Sequence, residues 1–140
     1  MKNYTTKIEA AQTVGEIQAT LAKFGAEKIS FDYKDGFPTA ITFLLDFEGN
    51  KSLFCIEADA NGALEALKLD KKVSKQYQTL EQGQRVAWRI TKDYIAIQLS
   101  FVEMRQATIQ KVFLPYLVVQ NGQTLFDYIK SEQGKKLLTQ

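Results

Sequence analysis

The segment GQRVAWRITKDYIAIQLSFVEM, residues 83–104, constrains the fold more than any other part of the chain. Stepped at about 100° per residue, it reads as a helix that is apolar in two separate sectors. Val86, Ile97, Ile90, Phe101, Tyr94, Ala87 and Met104 fall within an arc of about 100°. Trp88, Ile95, Leu99 and Val102 form a second sector on about the opposite side. Such a helix must be covered from two directions, and a sheet on one side with a terminal helix on the other is the expected cover. Thr79 and Gln82 have the spacing of a capping box and mark its start. It bends or ends near Gln106 and Ala107, because Thr108 can cap a short helix running to Leu114, which Pro115 limits.

Three strands precede it. KISFDY alternates Ile29, Phe31 and Tyr33 with polar residues, and TAITFLLDF places Ile41, Phe43 and Leu45 on one face. SLFCIEA is the third strand. Asp35-Gly36 and Gly49-Asn50 are the turn signals between them, and links this short favour an antiparallel meander. An amphipathic helix comes first: Thr13 and Glu16 suggest a capping box, Val14, Ile17, Leu21 and Phe24 recur at helical spacing, and Gly25 suits the stop. A short helix follows Asn61-Gly62, with Ala63, Leu64 and Leu67 on its inner side. YLVVQNGQ reads as an extended segment, and Thr124 with Asp127 opens a terminal helix. The expectation is one α+β domain over residues 1–140, a three-stranded antiparallel meander packed against a long helix in the C-terminal half and shorter helices. Residues 70–78, DKKVSKQYQ, show no period and read as a mobile basic loop.

Several chemistries are excluded or disfavoured. No histidine occurs, which removes the commonest general base and the Ser-His and Cys-His nucleophile pairs. One cysteine, Cys55, cannot form an intramolecular disulfide or a structural zinc site, and it fits a reducing compartment. No segment has the apolar length of a membrane span and the first residues lack the apolar centre of a signal peptide, so a cytoplasmic protein without a membrane partner is expected. The chain reads as a non-enzyme with no cofactor, metal site or catalytic residue. Its oligomeric state is open.

What invites a functional reading is charge. Residues 26–67 carry Lys28, Lys34 and Lys51 against Glu27, Asp32, Asp35, Asp46, Glu48, Glu57, Asp59 and Glu65, a net of −5. Residues 68–92 carry Lys68, Lys71, Lys72, Lys75, Arg85, Arg89 and Lys92 against Asp70 and Glu81, a net of +5. Arg85, Arg89 and Lys92 lie at i, i+4 and i+7 on one helix face. With Lys71, Lys72 and Lys75 they form the candidate binding set for nucleic acid or another partner, attracting phosphate without reading bases. The plainer alternative is a solvated helix face in which Arg89 pairs with Asp93, worth about 0.3–0.5 kcal/mol.

Other constellations are weaker. Asp32, Asp35, Asp46 and Glu48 lie near strand ends and turns and match no calcium loop; edge carboxylates that keep a sheet soluble explain them better. Cys55 reads as inert strand packing. Tyr33 and Tyr94 read as core, whereas Phe37 and Tyr77 are the better candidates for exposed stacking.

With these elements placed, the segment GQRVAWRITKDYIAIQLSFVEM…QKVFLPYLV, extended back through LAKFGAEKISFDYKDGFPTAITF, resembles small uncharacterised proteins of phages, prophages and related mobile elements. The resemblance implies context and assigns no residue a role. It makes an accessory of DNA metabolism or a host-system antagonist the expected kind of protein. The leading expectation is therefore a mobile-element accessory protein that binds nucleic acid or a nucleoprotein complex through the basic region. The alternative is an inhibitor or adaptor that acts on a host or phage protein through a sheet edge or the same patch.

Overall fold

The structure, a computed structural model, describes residues 1–136. It is an α+β fold with the elements α1 (Ala10–Lys23), β1 (Lys28–Lys34), β2 (Phe37–Phe47), β3 (Asn50–Glu57), α2 (Ala60–Leu69), α3 (Leu80–Glu103), α4 (Ile109–Phe113), α5 (Leu125–Lys130) and α6 (Glu132–Lys135). The three strands form an antiparallel sheet in the order β1-β2-β3.

Both hairpins close through two residues with positive φ, Asp35 (52°) with Gly36 (82°) and Glu48 (50°) with Gly49 (83°). That backbone matches the twist of the flanking strands and favours glycine at the second position. The second turn is therefore Glu48-Gly49 rather than the expected Gly49-Asn50, and Asn50 already pairs with Phe47.

One face of the sheet holds the core. Ile41, Phe43, Leu45, Phe54 and Ile56 are buried there beneath Val14, Ile17 and Leu21 of α1 and Trp88, Ile95 and Leu99 of α3. Phe43, Phe54 and Phe113 pack with ring centroids 5.5–5.7 Å apart, which fastens α4 to the sheet. Each ring contributes about 1.5–3 kcal/mol by burial. Trp88 Nε1 donates to the Pro38 carbonyl at 2.9 Å, so the indole is buried without losing its hydrogen bond.

Several local expectations hold. Gly25 has φ 104°, and the amides of Gly25 and Ala26 return to the carbonyls of Ala22 and Leu21, a Schellman stop to α1. The hydroxyls of Thr79, Thr108 and Thr124 accept from the amides of Gln82, Lys111 and Asp127 and cap α3, α4 and α5. The Thr13–Glu16 box does not form, because α1 begins earlier, at Ala10 after Glu9, and leaves Thr13 buried inside the helix. Likewise α2 starts at Ala60, with the Asp59 carboxylate accepting from the Gly62 amide. Tyr33 is 62% exposed rather than core, since the strand register shifts between Asp32 and Tyr33 at the end of the sheet.

The two apolar sectors of α3 have different fates. Trp88, Ile95 and Leu99 face the sheet, as expected. The other sector is covered by α2 and the N-terminal residues only in its first half, where Val86 and Ala87 are buried; further on, Ile97 and Met104 are 55% and 63% exposed. The C-terminal segment lies elsewhere: Val118 donates to the Leu53 carbonyl at 2.8 Å and Leu117 bridges Phe54, so the chain closes the outer edge of β3 itself.

Candidate nucleic-acid interface

The six expected site residues divide into two groups. Arg85 and Arg89 point at α1. Arg85 Nε donates to Glu9 Oε1 at 3.1 Å and its Nη1 to Gln82 Oε1 at 2.9 Å. Arg89 Nη1 donates to Glu16 Oε2 at 2.5 Å and to Thr13 Oγ1 at 3.3 Å. The two guanidinium side chains are 25% and 15% exposed, so both clamp helices together instead of offering a charge to solvent. Asp93, the expected partner of Arg89, accepts instead from Asn3 Nδ2 at 2.9 Å and lies 3.6 Å from Lys2 Nζ. A cation placed N-terminal to a carboxylate at i, i+4 is the weaker orientation on a helix, and α1 supplies a better-placed acid.

Lys71, Lys72 and Lys75 form the second group and are exposed, with Lys92 half-buried on α3. None of the four makes an ion pair among the described residues. Their loop has a defined course. The Asp70 carboxylate accepts from the Lys72 amide at 2.9 Å, Val73 is 5% exposed, residues Lys75–Tyr77 form a 3₁₀ turn, and Gln78 Nε2 donates to the Val73 carbonyl at 3.2 Å. Tyr77 packs edge-on against Tyr4 with centroids 6.0 Å apart, which makes it a structural contact rather than an open stacking platform.

The residues that the sequence did not reveal belong to the first nine, which run beside α3 as a strap, with contacts from Gln82 to Asp93. Buried Gln82 holds it, its Nε2 donating to the carbonyls of Tyr4 at 2.8 Å and Thr6 at 2.9 Å. The Met1 ammonium donates to Asp70 Oδ2 at 2.8 Å. That hydrogen bond, with the Lys72 amide, holds the Asp70 carboxyl below its ordinary range. The strap thus supplies cations to Asp70 and Asp93, two carboxylates that would otherwise offset the nearby lysines.

The acidic side of the molecule gathers differently. Asp32, Asp35, Glu57 and Asp59 line a cleft of about 690 Å³ at the tip of the first hairpin, together with Phe37 and Leu80. Asp46 and Glu48 are at the other end, at the second turn, and no three potential ligands gather closely enough for a metal among the described residues. Phe37 is 43% exposed. Cys55 is half-buried on the opposite face of the sheet from Phe54, beside Tyr116 and Phe126. Tyr94 packs against Tyr116, and burial with that contact pushes its phenol up to about 12. No described helix is long and apolar enough to cross a membrane.

Comparison with family models, curated proteins and solved structures returned no match to this chain. The likeness to phage and prophage proteins gains nothing from them.

Proposed function

We propose that the protein is a non-enzymatic accessory protein that binds nucleic acid, alone or in a nucleoprotein complex, through the lysines of the 70–78 loop, with Lys92 of α3 as a further phosphate contact. The observation that carries this reading is the engagement of Asp70 and Asp93 by the N-terminal strap, while Lys71, Lys72, Lys75 and Lys92 keep no carboxylate partner among the described residues. Ammonium groups without carboxylate partners bind a phosphate backbone by releasing its condensed counterions and carry no means of reading bases. Arg85 and Arg89 have no part in this surface. The mobile-element setting rests on the sequence likeness alone.

Fluorescence anisotropy with labelled single- and double-stranded DNA and RNA across a salt series tests the reading. Binding of any of these with a steep loss on adding salt supports it, and no binding of any at low salt overturns it. The second reading, an inhibitor or adaptor for a host or phage protein, is favoured by one observation: among the described residues β1 pairs along one side only and leaves a sheet edge open.

A further inference from the structure

We propose that two copies of this chain join edge to edge through β1, forming one continuous six-stranded antiparallel sheet about a twofold axis at Ser30. The two edges of the sheet are treated differently by the fold. The outer edge of β3 is occupied by the chain's own Leu117 and Val118, whereas β1 is bonded only to β2 among the described residues. An open edge is a row of unpaired donors and acceptors, and a second strand is what satisfies it.

The sequence of β1 specifies which strand fits. Its regular part runs from Lys28 to Asp32, ahead of the register shift at Asp32/Tyr33, and Ser30 is its midpoint. In an antiparallel pair, residues directly opposite share a face. With Ser30 opposite Ser30, Lys28 of each copy faces Asp32 of the other, so the exposed outer face gains two opposite-charge pairs. On the inner face Ile29 lies opposite Phe31, again twice. Both are only half-buried at the rim of the core and would be covered by their counterparts.

Moving the axis to Phe31 would instead set Lys28 against Lys34 twice, and like charges directly opposite are unfavourable. The inner-face pairs are apolar in either register, so the charge pattern selects the axis at Ser30. The contact is isologous, the arrangement that closes as a dimer, and it leaves α1 and α3 of both copies on one side of the joined sheet.

Sedimentation equilibrium of the full chain over a wide concentration range tests this. The native protein should dimerise. Lys28→Asp alone and Asp32→Lys alone each turn two attractive pairs into repulsive ones and should weaken the dimer about tenfold or more. Lys28→Asp/Asp32→Lys together restore the complementarity and should return dissociation to near the native value. Because these side chains are exposed, circular dichroism should be unchanged throughout. For the register, Ser30→Cys in a Cys55→Ser background should give a disulfide-linked dimer under mild oxidation, and Tyr33→Cys should not. A monomer at every concentration overturns the proposal. So does a dimer indifferent to the single exchanges, or one that the double exchange fails to rescue.

Discussion

Arg89 of α3 is joined to Glu16 of α1 across 73 positions of sequence, its Nη1 donating to Glu16 Oε2 at 2.5 Å while also reaching the hydroxyl of fully buried Thr13. Removing the guanidinium strands a carboxylate and a buried hydroxyl at the α1–α3 contact. Arg89→Ala should lower stability by about 1–3 kcal/mol. Urea denaturation of Arg89→Ala, Glu16→Ala and the double variant would measure the coupling directly. A coupling near zero would show that the pair does not hold the helices.

Glycines in α1 and α3 should respond oppositely to alanine. A Cβ on Gly83 would lie 2.6 Å from the Ala60 carbonyl oxygen, so α2 would have to move away from α3. Gly83→Ala should cost about 1–3 kcal/mol. Gly15, inside α1, has no described atom within 4 Å of the same position beyond its chain neighbours and its own helix backbone. Gly15→Ala should stabilise the protein by about 0.5–1 kcal/mol through helix propensity. Thermal melts of the two variants decide between these signs, and loss of stability in both would contradict the α2–α3 contact as the distinguishing cause.

Phe113 connects the C-terminal third to the sheet, with its ring 5.5 Å from that of Phe43 and 5.7 Å from that of Phe54. Phe113→Ala should cost about 3–5 kcal/mol, the range for deleting a buried ring. Hydrogen exchange should show faster loss of protection at the Val118 amide, which bonds to the Leu53 carbonyl. Unchanged protection at Val118 would mean that the edge of β3 is closed independently of the aromatic cluster.

Alkaline titration should single out one tyrosine. The Tyr94 phenol is pushed from 10.0 to about 12 by burial, with the Tyr116 contact adding to the effect. The folded state therefore holds that proton more tightly than the unfolded chain. This contribution to stability is fully present below pH 10 and is lost as pH rises from there through about 12. Ultraviolet difference titration should show a phenolate step near 12 that Tyr94→Phe removes. A step that stays in place in the variant would assign it to another residue.

What was legible in the sequence was local. Alternation over a few residues was enough to place Ile41, Phe43 and Leu45 on the core face, and a threonine three residues before the amide it caps was enough for Thr79, Thr108 and Thr124. The same threonine spacing misled at Thr13, because inside a helix it arises without a cap when a distant side chain, here Arg89, uses the hydroxyl and the glutamate. The site was only half legible for a related reason. Lysines in a loop are exposed wherever the loop runs, but the fate of Arg85 and Arg89 depends on α1 crossing α3, a relationship no local spacing encodes. The strap has no sequence signature at all, since residues 1–9 have no period and are held by polar contacts to Asp70, Gln82 and Asp93.

The most direct test of the nucleic-acid reading compares the salt dependence of binding in two variants, Lys71→Gln/Lys72→Gln/Lys75→Gln and Arg85→Gln/Arg89→Gln. If the loop lysines touch phosphate, the first variant should bind more weakly to every sequence. Its log–log salt slope on duplex DNA should be shallower by about 0.9 for each phosphate that is no longer neutralised. The second should keep the native slope while losing stability. An unaltered slope in the lysine variant, or a flattened slope only in the folded arginine variant, would contradict the assignment of the surface to the loop.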